Sequence, residues 1–280
     1  MDQRNTDETP CIQAKLHVEV VEPNHDQNSN GAESLVTVVL CHGFGGSARN
    51  FRPQARAFGG EVRFVLYDQR GHARSEKPEP PGAYRFSCLV DDLASVVQLH
   101  ATTKVIVGGL SLGSAVALAY TLRHPERVAG LLLSAYPAPP NKLRPWALEF
   151  AESIEKSGIS EAGARFVWGD DSRFDPKARE LIRAGFLEHA PWSLAAILRL
   201  GLAALDDVEE LGVQLQALRV PTRIVVGGDD IGSVTPCRRL STLIPGATLS
   251  VLEGAGHIVN LARVSEFNEE LRKLIDQVRI

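Results

Sequence analysis

Short, nearly unbroken apolar runs recur along the chain: S-L-V-T-V-V-L (34–40), E-V-R-F-V-L-Y (61–67), T-K-V-I-V-G (103–108), V-A-G-L-L-L-S-A (128–135) and P-T-R-I-V-V-G (221–227). They are rich in β-branched residues and too short for buried helices, so each is read as a strand, and a run with no polar alternation suits a strand covered on both faces. A-T-L-S-V-L-E (247–253) adds another, and K-L-H-V-E-V-V-E (15–22) alternates apolar with polar residues as an edge strand does. Helical stretches fall between the runs, near 49–58, 87–100, 114–123 and 264–278. Strands alternating with helices predict an α/β fold: a mostly parallel central sheet flanked by helices.

The alternation stops after Tyr136. From P-A-P-P-N-K-L-R-P-W to about residue 205 the sequence has helical periodicity and no strand, with helices expected near 145–157, 160–168, 176–188 and 191–204. Four helices in succession exceed an ordinary strand-to-strand connection. The expected organisation is a flexible tail over 1–11, a core over 12–136 and 206–280, and an inserted all-helical cap over 137–205. E-P-N-H-D-Q-N-S-N-G-A, after the edge strand, reads as turn-forming punctuation.

A formal charge of −4 over 280 residues gives no footprint for nucleic acid or a membrane surface. No apolar run is long enough to span a bilayer, and the polar first residues, M-D-Q-R-N-T-D-E-T-P, do not resemble a signal sequence. Cys11, Cys41, Cys88 and Cys237 are scattered with no C-x-x-C pair, which reads as reduced thiols in a cytoplasmic protein. No metal or cofactor motif of the H-E-x-x-H or G-K-[ST] type is present.

One junction carries chemistry. G-L-S-L-G (109–113) follows a strand and precedes a helix, which sets Ser111 on a sharp turn at the carboxyl end of the sheet and directs the Leu112 N–H toward the same space. A serine hydroxyl needs a base, and the base needs an orienting acid. His257, in E-G-A-G-H-I-V-N after the last strand, is the best-placed base; of the other histidines only His42 and His72 also stand at strand ends. V-G-G-D-D offers Asp229 and Asp230 as the acid, and the order Ser, Asp, His suits this architecture. Upstream, C-H-G-F-G-G-S-A fits G-x-G-x-x-A with Asp68 beyond the next strand, a dinucleotide fingerprint on paper. That reading leaves Ser111, Asp230 and His257 without a purpose. The same loop serves better as an oxyanion site, with the Phe44 N–H beside that of Leu112.

Taken together, H-G-F-G-G-S (42–47), Y-D-Q-R-G-H-A-R-S (67–75), G-L-S-L-G, R-H-P-E-R-V (123–128), V-G-G-D-D (226–230) and G-A-G-H (254–257) resemble the α/β-hydrolase superfamily, in its capped branch of esterases, lactonases and carbon–carbon bond hydrolases. The resemblance implies Ser111 as nucleophile, His257 as general base and then acid, Phe44 and Leu112 as oxyanion donors, and Asp230 as the acid, from the family's G-x-x-D spacing counted from Gly227. It implies no cofactor and a small-molecule substrate. Specificity is then expected in the cap, where Trp146, Phe150, Trp168, Phe186 and Trp192, with Phe166 and Phe174, concentrate aromatic surface. Arg144, Arg165 and Arg183 could receive a substrate carboxylate or be solvated helix faces. The leading expectation is hydrolysis of a small apolar or aromatic carboxylic ester or lactone. The alternatives are carbon–carbon hydrolysis of a vinylogous keto acid, lyase or acyl- or peroxy-transfer chemistry on the same fold, and a ligand-binding receptor or scaffold with a slow or silent triad.

Overall fold

A computed structural model describes residues 10–23, 36–101, 103–169 and 176–279. Most of the expected tail, most of the turn-forming stretch after the edge strand, with His25, and Phe174 lie outside the described residues. Strands β1 (Val18–Val21), β2 (Thr37–Cys41), β3 (Arg63–Tyr67), β4 (Val105–Leu110), β5 (Val128–Ser134), β6 (Thr222–Gly227) and β7 (Thr248–Leu252) form one sheet in the order β1-β3-β2-β4-β5-β6-β7. Only β1 is antiparallel; it pairs with β3 at the edge, where its alternating sequence belongs. The other pairs are parallel, so every strand from β2 to β7 delivers its carboxyl end to the same rim.

The period of two shows in the two apolar layers. Val38 and Leu40 of β2, with Phe64 and Leu66 of β3, face the layer shared with Phe267, Leu271 and Leu274 of α10 (Val264–Val278). Val39, Cys41, Val65 and Tyr67 face the opposite layer, shared with α2 (Phe86–His100) and α3 (Leu112–Arg123). Both faces are covered, which is why these strands read as continuous apolar runs; α1 (Arg52–Ala57), α8 (Ile231–Leu243) and α9 (Val259–Ala262) are the other α-helices among the described residues outside the β5–β6 connection.

Between β5 and β6 the described chain is helical: α4 (Pro140–Phe166), α5 (Pro176–Phe186), α6 (Pro191–Ile197), one π-helical turn (Leu198–Leu202) and a short α7 (Gly212–Ala217). α4 breaks at Gly158, whose φ of +80° suits glycine alone, so it is in effect the two helices that the periodicity predicts. It begins earlier than predicted because Pro145, which removes only the bond to the Asn141 carbonyl, is tolerated near an exposed start. α4 packs on α6 and on the π-helical turn, and α6 packs on the 81–84 turn, so this segment is cored on itself and on the loops at the sheet's rim.

The cysteine expectation needs correction. Cys11 and Cys88 are joined in a disulfide that ties the chain before β1 to α2, whereas Cys41 and Cys237 are free and buried. Scattered spacing hid a pair that the fold brings together, and the reduced-thiol argument for a cytoplasmic location falls with it. Among the described residues no helix is long and apolar enough to cross a membrane.

Candidate active site

Ser111 sits between β4 and α3 with φ +55° and ψ −118°, a conformation that L side chains seldom adopt. The crowding around it explains the flanking glycines. A Cβ on Gly109 would lie 2.3 Å from the Gly113 carbonyl, and one on Gly113 would lie 2.1 Å from the Cys41 carbonyl oxygen. The first turn of α3 therefore crosses directly over the ends of β4 and β2, and only bare backbone fits. Ser111 makes no side-chain cap on α3, so its hydroxyl is not spent on the helix. Its N–H bonds the Ser134 carbonyl (2.9 Å), which fixes the turn to β5.

Beside it runs the 42–47 loop. Gly43 lies against the Leu110 carbonyl and the Ser111 Cβ, and the Gly46 N–H bonds the Gly43 carbonyl (3.0 Å) to close a turn around Phe44. Among the described residues the Phe44 N–H has no protein acceptor. Leu112, first residue of α3, has an N–H outside the intrahelical ladder. Two backbone donors thus flank the serine, and the Leu112 side chain, fully buried, anchors its end of the site.

The loops after β6 and β7 are zipped together by main-chain bonds, Gly228 N–H to the Leu252 carbonyl (2.9 Å) and Asp229 N–H to the Ala255 carbonyl (3.0 Å). This presents the Asp230 carboxylate to His257, with Oδ2 2.7 Å from Nδ1. Asp229 points to solvent instead. Burial pushes the Asp230 carboxyl up, but the hydrogen bond and charge of His257, with Ser233, outweigh it and hold the group below its ordinary value. An ionised carboxylate on Nδ1 leaves Nε2 as the imidazole's free nitrogen.

Ser111, Asp230, His257 and Phe44 line one cavity of about 850 Å³. Of the cap aromatics expected to offer surface to a ligand, Trp146, Phe150, Phe166 and Phe186 line it; Trp168 and Trp192 do not. Trp168 is buried over Gly163 and against Phe186 (5.5 Å between ring centroids), and Trp192 packs on Tyr84 (6.0 Å). Phe150 is stacked between Phe166 (4.6 Å) and Phe186 (6.0 Å), so one aromatic wall is both cavity lining and core. Sequence reasoning missed the aliphatic part of the lining, Leu143, Leu181, Ile182 and Leu261; its one signal is the amphipathic pattern of α5. The three arginines face elsewhere: Arg144 bonds the Ala203 carbonyl, Arg165 pairs with Glu149 and Arg183 with Glu180.

The other strand-end histidines are structural. His42 donates from Nδ1 to the Gly43 carbonyl (2.7 Å) and accepts the Gln69 N–H on Nε2 (2.9 Å); burial drives its pKa down to about 4, which keeps it neutral. His72, also buried and held well below its ordinary pKa by desolvation, accepts the Gly45 N–H. Asp68, the acid of a dinucleotide reading, is fully buried; its carboxylate accepts the Ala48 N–H (2.7 Å) and pairs with Arg74. Its place is under the 42–47 loop, with both carboxylate oxygens engaged by Ala48 and Arg74.

Residues 36–184 match the family described as the alpha/beta hydrolase fold, more than half of the chain. A provisionally named carbamate hydrolase, RutD, of Rhizobium rhizogenes is 27% identical over 251 residues, covering 85% of this chain and 92% of that protein. A malate-bound thermophilic esterase from Thermogutta terrifontis superposes with a TM-score of 0.79 at 26% identity, covering 95% of each chain. The enol-lactonase of Burkholderia xenovorans superposes equally well (0.79) at 22% identity, covering 94% of this chain and 97% of its own, a likeness of fold. With the sheet order, the strained serine and this match in hand, the chain is an α/β hydrolase and belongs to the family of that fold.

Proposed function

We propose that the protein is a serine hydrolase that cleaves an apolar or aromatic carboxylic ester or lactone through an acyl-enzyme on Ser111. The observation that carries this reading is the strained Ser111 facing the same apolar cavity as the His257–Asp230 pair. In the proposed reaction, His257 Nε2 takes the proton from the Ser111 hydroxyl as its oxygen attacks the substrate carbonyl carbon. Asp230 holds the imidazole in the tautomer that leaves Nε2 free and stabilises the imidazolium that forms. The Phe44 and Leu112 N–H groups receive the negative charge on the carbonyl oxygen; one such donor is typically worth about 2.7–4 kcal/mol of transition-state stabilisation. The imidazolium then protonates the departing alcohol, and water, deprotonated by the same ring, releases the acid.

The helical segment over 137–205 acts in this reading as a lid whose wall selects the acyl or alcohol portion, with Trp146, Phe150 and Phe186 as its aromatic surface. Likeness to an esterase and to a carbamate hydrolase supports carbonyl-centred hydrolysis, because esters, lactones and carbamates all pass through a tetrahedral oxyanion. The test is turnover of a panel of p-nitrophenyl esters and aryl-substituted lactones by wild type and by Ser111→Ala, with a fluorophosphonate probe on each. Expected are turnover and labelling of the wild type and loss of both in the variant. Turnover of a ring-cleavage dienoate in preference to every ester would move the reaction to carbon–carbon hydrolysis. An unlabelled, folded wild type that turns over nothing would leave a binding protein.

A further inference from the structure

Most of the support for the 42–47 loop comes from beneath. His42 bonds the Gly43 carbonyl, His72 accepts the Gly45 N–H (3.2 Å), and Asp68 accepts the Ala48 N–H. The Gly46 carbonyl is met from the helical segment. His189, in the turn between α5 and α6, places Nε2 3.0 Å from the Gly46 oxygen and Nδ1 3.0 Å from the Phe186 oxygen. The ring is 5% exposed and packs edge-on against His72, with 5.2 Å between centroids. Two neighbours reinforce the same junction. The Phe186 ring lies so close to Gly45 that a Cβ there would sit 2.4 Å away, and Glu188 pairs with Arg49. His189 does not line the cavity, so it has no role in touching substrate.

We infer that His189 is a positioning residue for the oxyanion site: from the helical segment it holds the Gly46 carbonyl, and through the Gly43–Gly46 turn it sets the aim of the Phe44 N–H. The inference rests on the assignment of Phe44 as an oxyanion donor made above. Gly46 is the residue through which the turn is closed, since its N–H bonds Gly43 while its carbonyl bonds His189. A shift at Gly46 therefore passes to the residues between, Phe44 among them. A neutral imidazole has one N–H, and both ring nitrogens here face carbonyl oxygens, so the bond to Gly46 requires the proton on Nε2 or a doubly protonated ring. Glutamine can replace the Nε2 donor without the ring, which separates the hydrogen bond from the packing.

The experiment compares His189→Ala and His189→Gln with wild type on a p-nitrophenyl ester, with an arylboronic acid as a tetrahedral adduct of Ser111 and a neutral ester analogue as ground-state ligand. In His189→Ala, kcat and boronate affinity are expected to fall together by roughly tenfold to hundredfold, less than removal of a whole donor. KM and ground-state affinity stay within twofold of wild type by the same reasoning, about uniform binding left intact. His189→Gln recovers most of that loss. If His189→Ala keeps wild-type kcat and boronate affinity, or if KM and kcat worsen in step with thermal stability and glutamine rescues neither, the inference is overturned. Should the alanine variant not fold, His189→Leu, which fills the site without a donor, takes its place: loss of boronate affinity in leucine with recovery in glutamine supports the role, and equal affinities in the two refute it. Full turnover by Ser111→Ala would instead overturn the hydrolase reading, so the two failures are distinct.

Discussion

Replacing Gly113 with alanine tests why the serine turn has glycine on both sides. The new methyl group would sit 2.1 Å from the Cys41 carbonyl oxygen and 2.5 Å from that of His42, where ordinary contact begins at 3.4 Å. Cys41 ends β2, is fully buried, and is laddered to β3 on one side and β4 on the other, so it has little room to retreat. The start of α3 must move instead, by about an ångström, carrying Ser111 and the Leu112 N–H with it. Overpacking of this kind costs about 1–3 kcal/mol, and the better helix propensity of alanine returns about 0.8–1.0 kcal/mol. The net loss of stability is therefore modest. A misplacement of about 1 Å at a reacting centre costs on the order of 10²-fold in rate, so activity should fall further than stability.

The assay pairs urea denaturation followed by circular dichroism with the pre-steady-state burst of p-nitrophenolate from a p-nitrophenyl ester. Gly212→Ala is the control, because a Cβ there meets nothing within 4 Å. It should leave both readings unchanged, apart from a small stabilisation. If Gly113→Ala matches wild type in urea midpoint and burst rate, close passage of backbone is not what reserves this position for glycine, and the account of the turn is wrong.

Asp230→Asn should lower kcat by about 10⁴-fold, the loss typical of a triad acid that no longer fixes the tautomer, whereas Asp229→Asn should stay within a few-fold; the reverse ranking would reassign the acid. Asp92→Ala should cost about 3–5 kcal/mol in chemical denaturation, because it strands the buried Arg70 that it pairs in two-pronged fashion (2.6 and 2.7 Å), and a cost below 1 kcal/mol would refute that. Glu19, held by the hydrogen bond of Arg52 and by Arg74, titrates at about 2 rather than its ordinary 4.5. Its folded pKa is depressed, so the wild-type advantage over Glu19→Gln should be full above pH 4.5, drain between 4.5 and 2, and vanish below; a pH-independent difference would contradict it. The double variant Cys11→Ser, Cys88→Ser should lose up to about 4.5 kcal/mol for a loop of this length and keep wild-type kcat per folded molecule; a matching fall in kcat would mean that the link reaches the site.

What the sequence disclosed and what it hid divide along the range of the interactions. β2 and β3 are legible because a strand covered on both faces needs an apolar residue at every position, and that is a local property. Ser111 is legible for the same reason: the crossing of α3 over β4 is built within five residues, and its glycines are printed there. The order of loops along one rim then placed His257 and an aspartate near the serine. Choosing between Asp229 and Asp230 took geometry, because the zipped loops turn one side chain in and the other out. Trp146 and Trp192 look alike in sequence, yet one lines the cavity and the other meets Tyr84, a partner more than a hundred residues away. The role of His189 was invisible for that reason too; its acceptor, Gly46, is 143 residues distant. The six residues of α7 are too few to show a period, and the pairing of Cys11 with Cys88 is fixed by folding, with nothing in their spacing to announce it.

The two sides of the cavity are therefore held by different physics, and this governs how each can change. On the sheet side the constraint is main chain against main chain: Gly109 and Gly113 under the serine, and the bonded loops that carry Asp230 and His257. Backbone crowding of that kind has no rotamer through which to relax, so nearly any substitution there disturbs the placement of Ser111, Asp230 and His257. On the helical side the constraint is side chain against side chain, with Phe150 stacked between Phe166 and Phe186 and with Leu181 and Ile182 from α5. Volume-conserving changes in such a wall usually cost less than about 1.5 kcal/mol, so the shape of the cavity can be revised while Ser111, Asp230 and His257 stay fixed. Phe186 and His189 are the exception. They belong to the helical side yet press on Gly45 and Gly46, and a change at either alters the wall and the 42–47 loop at once.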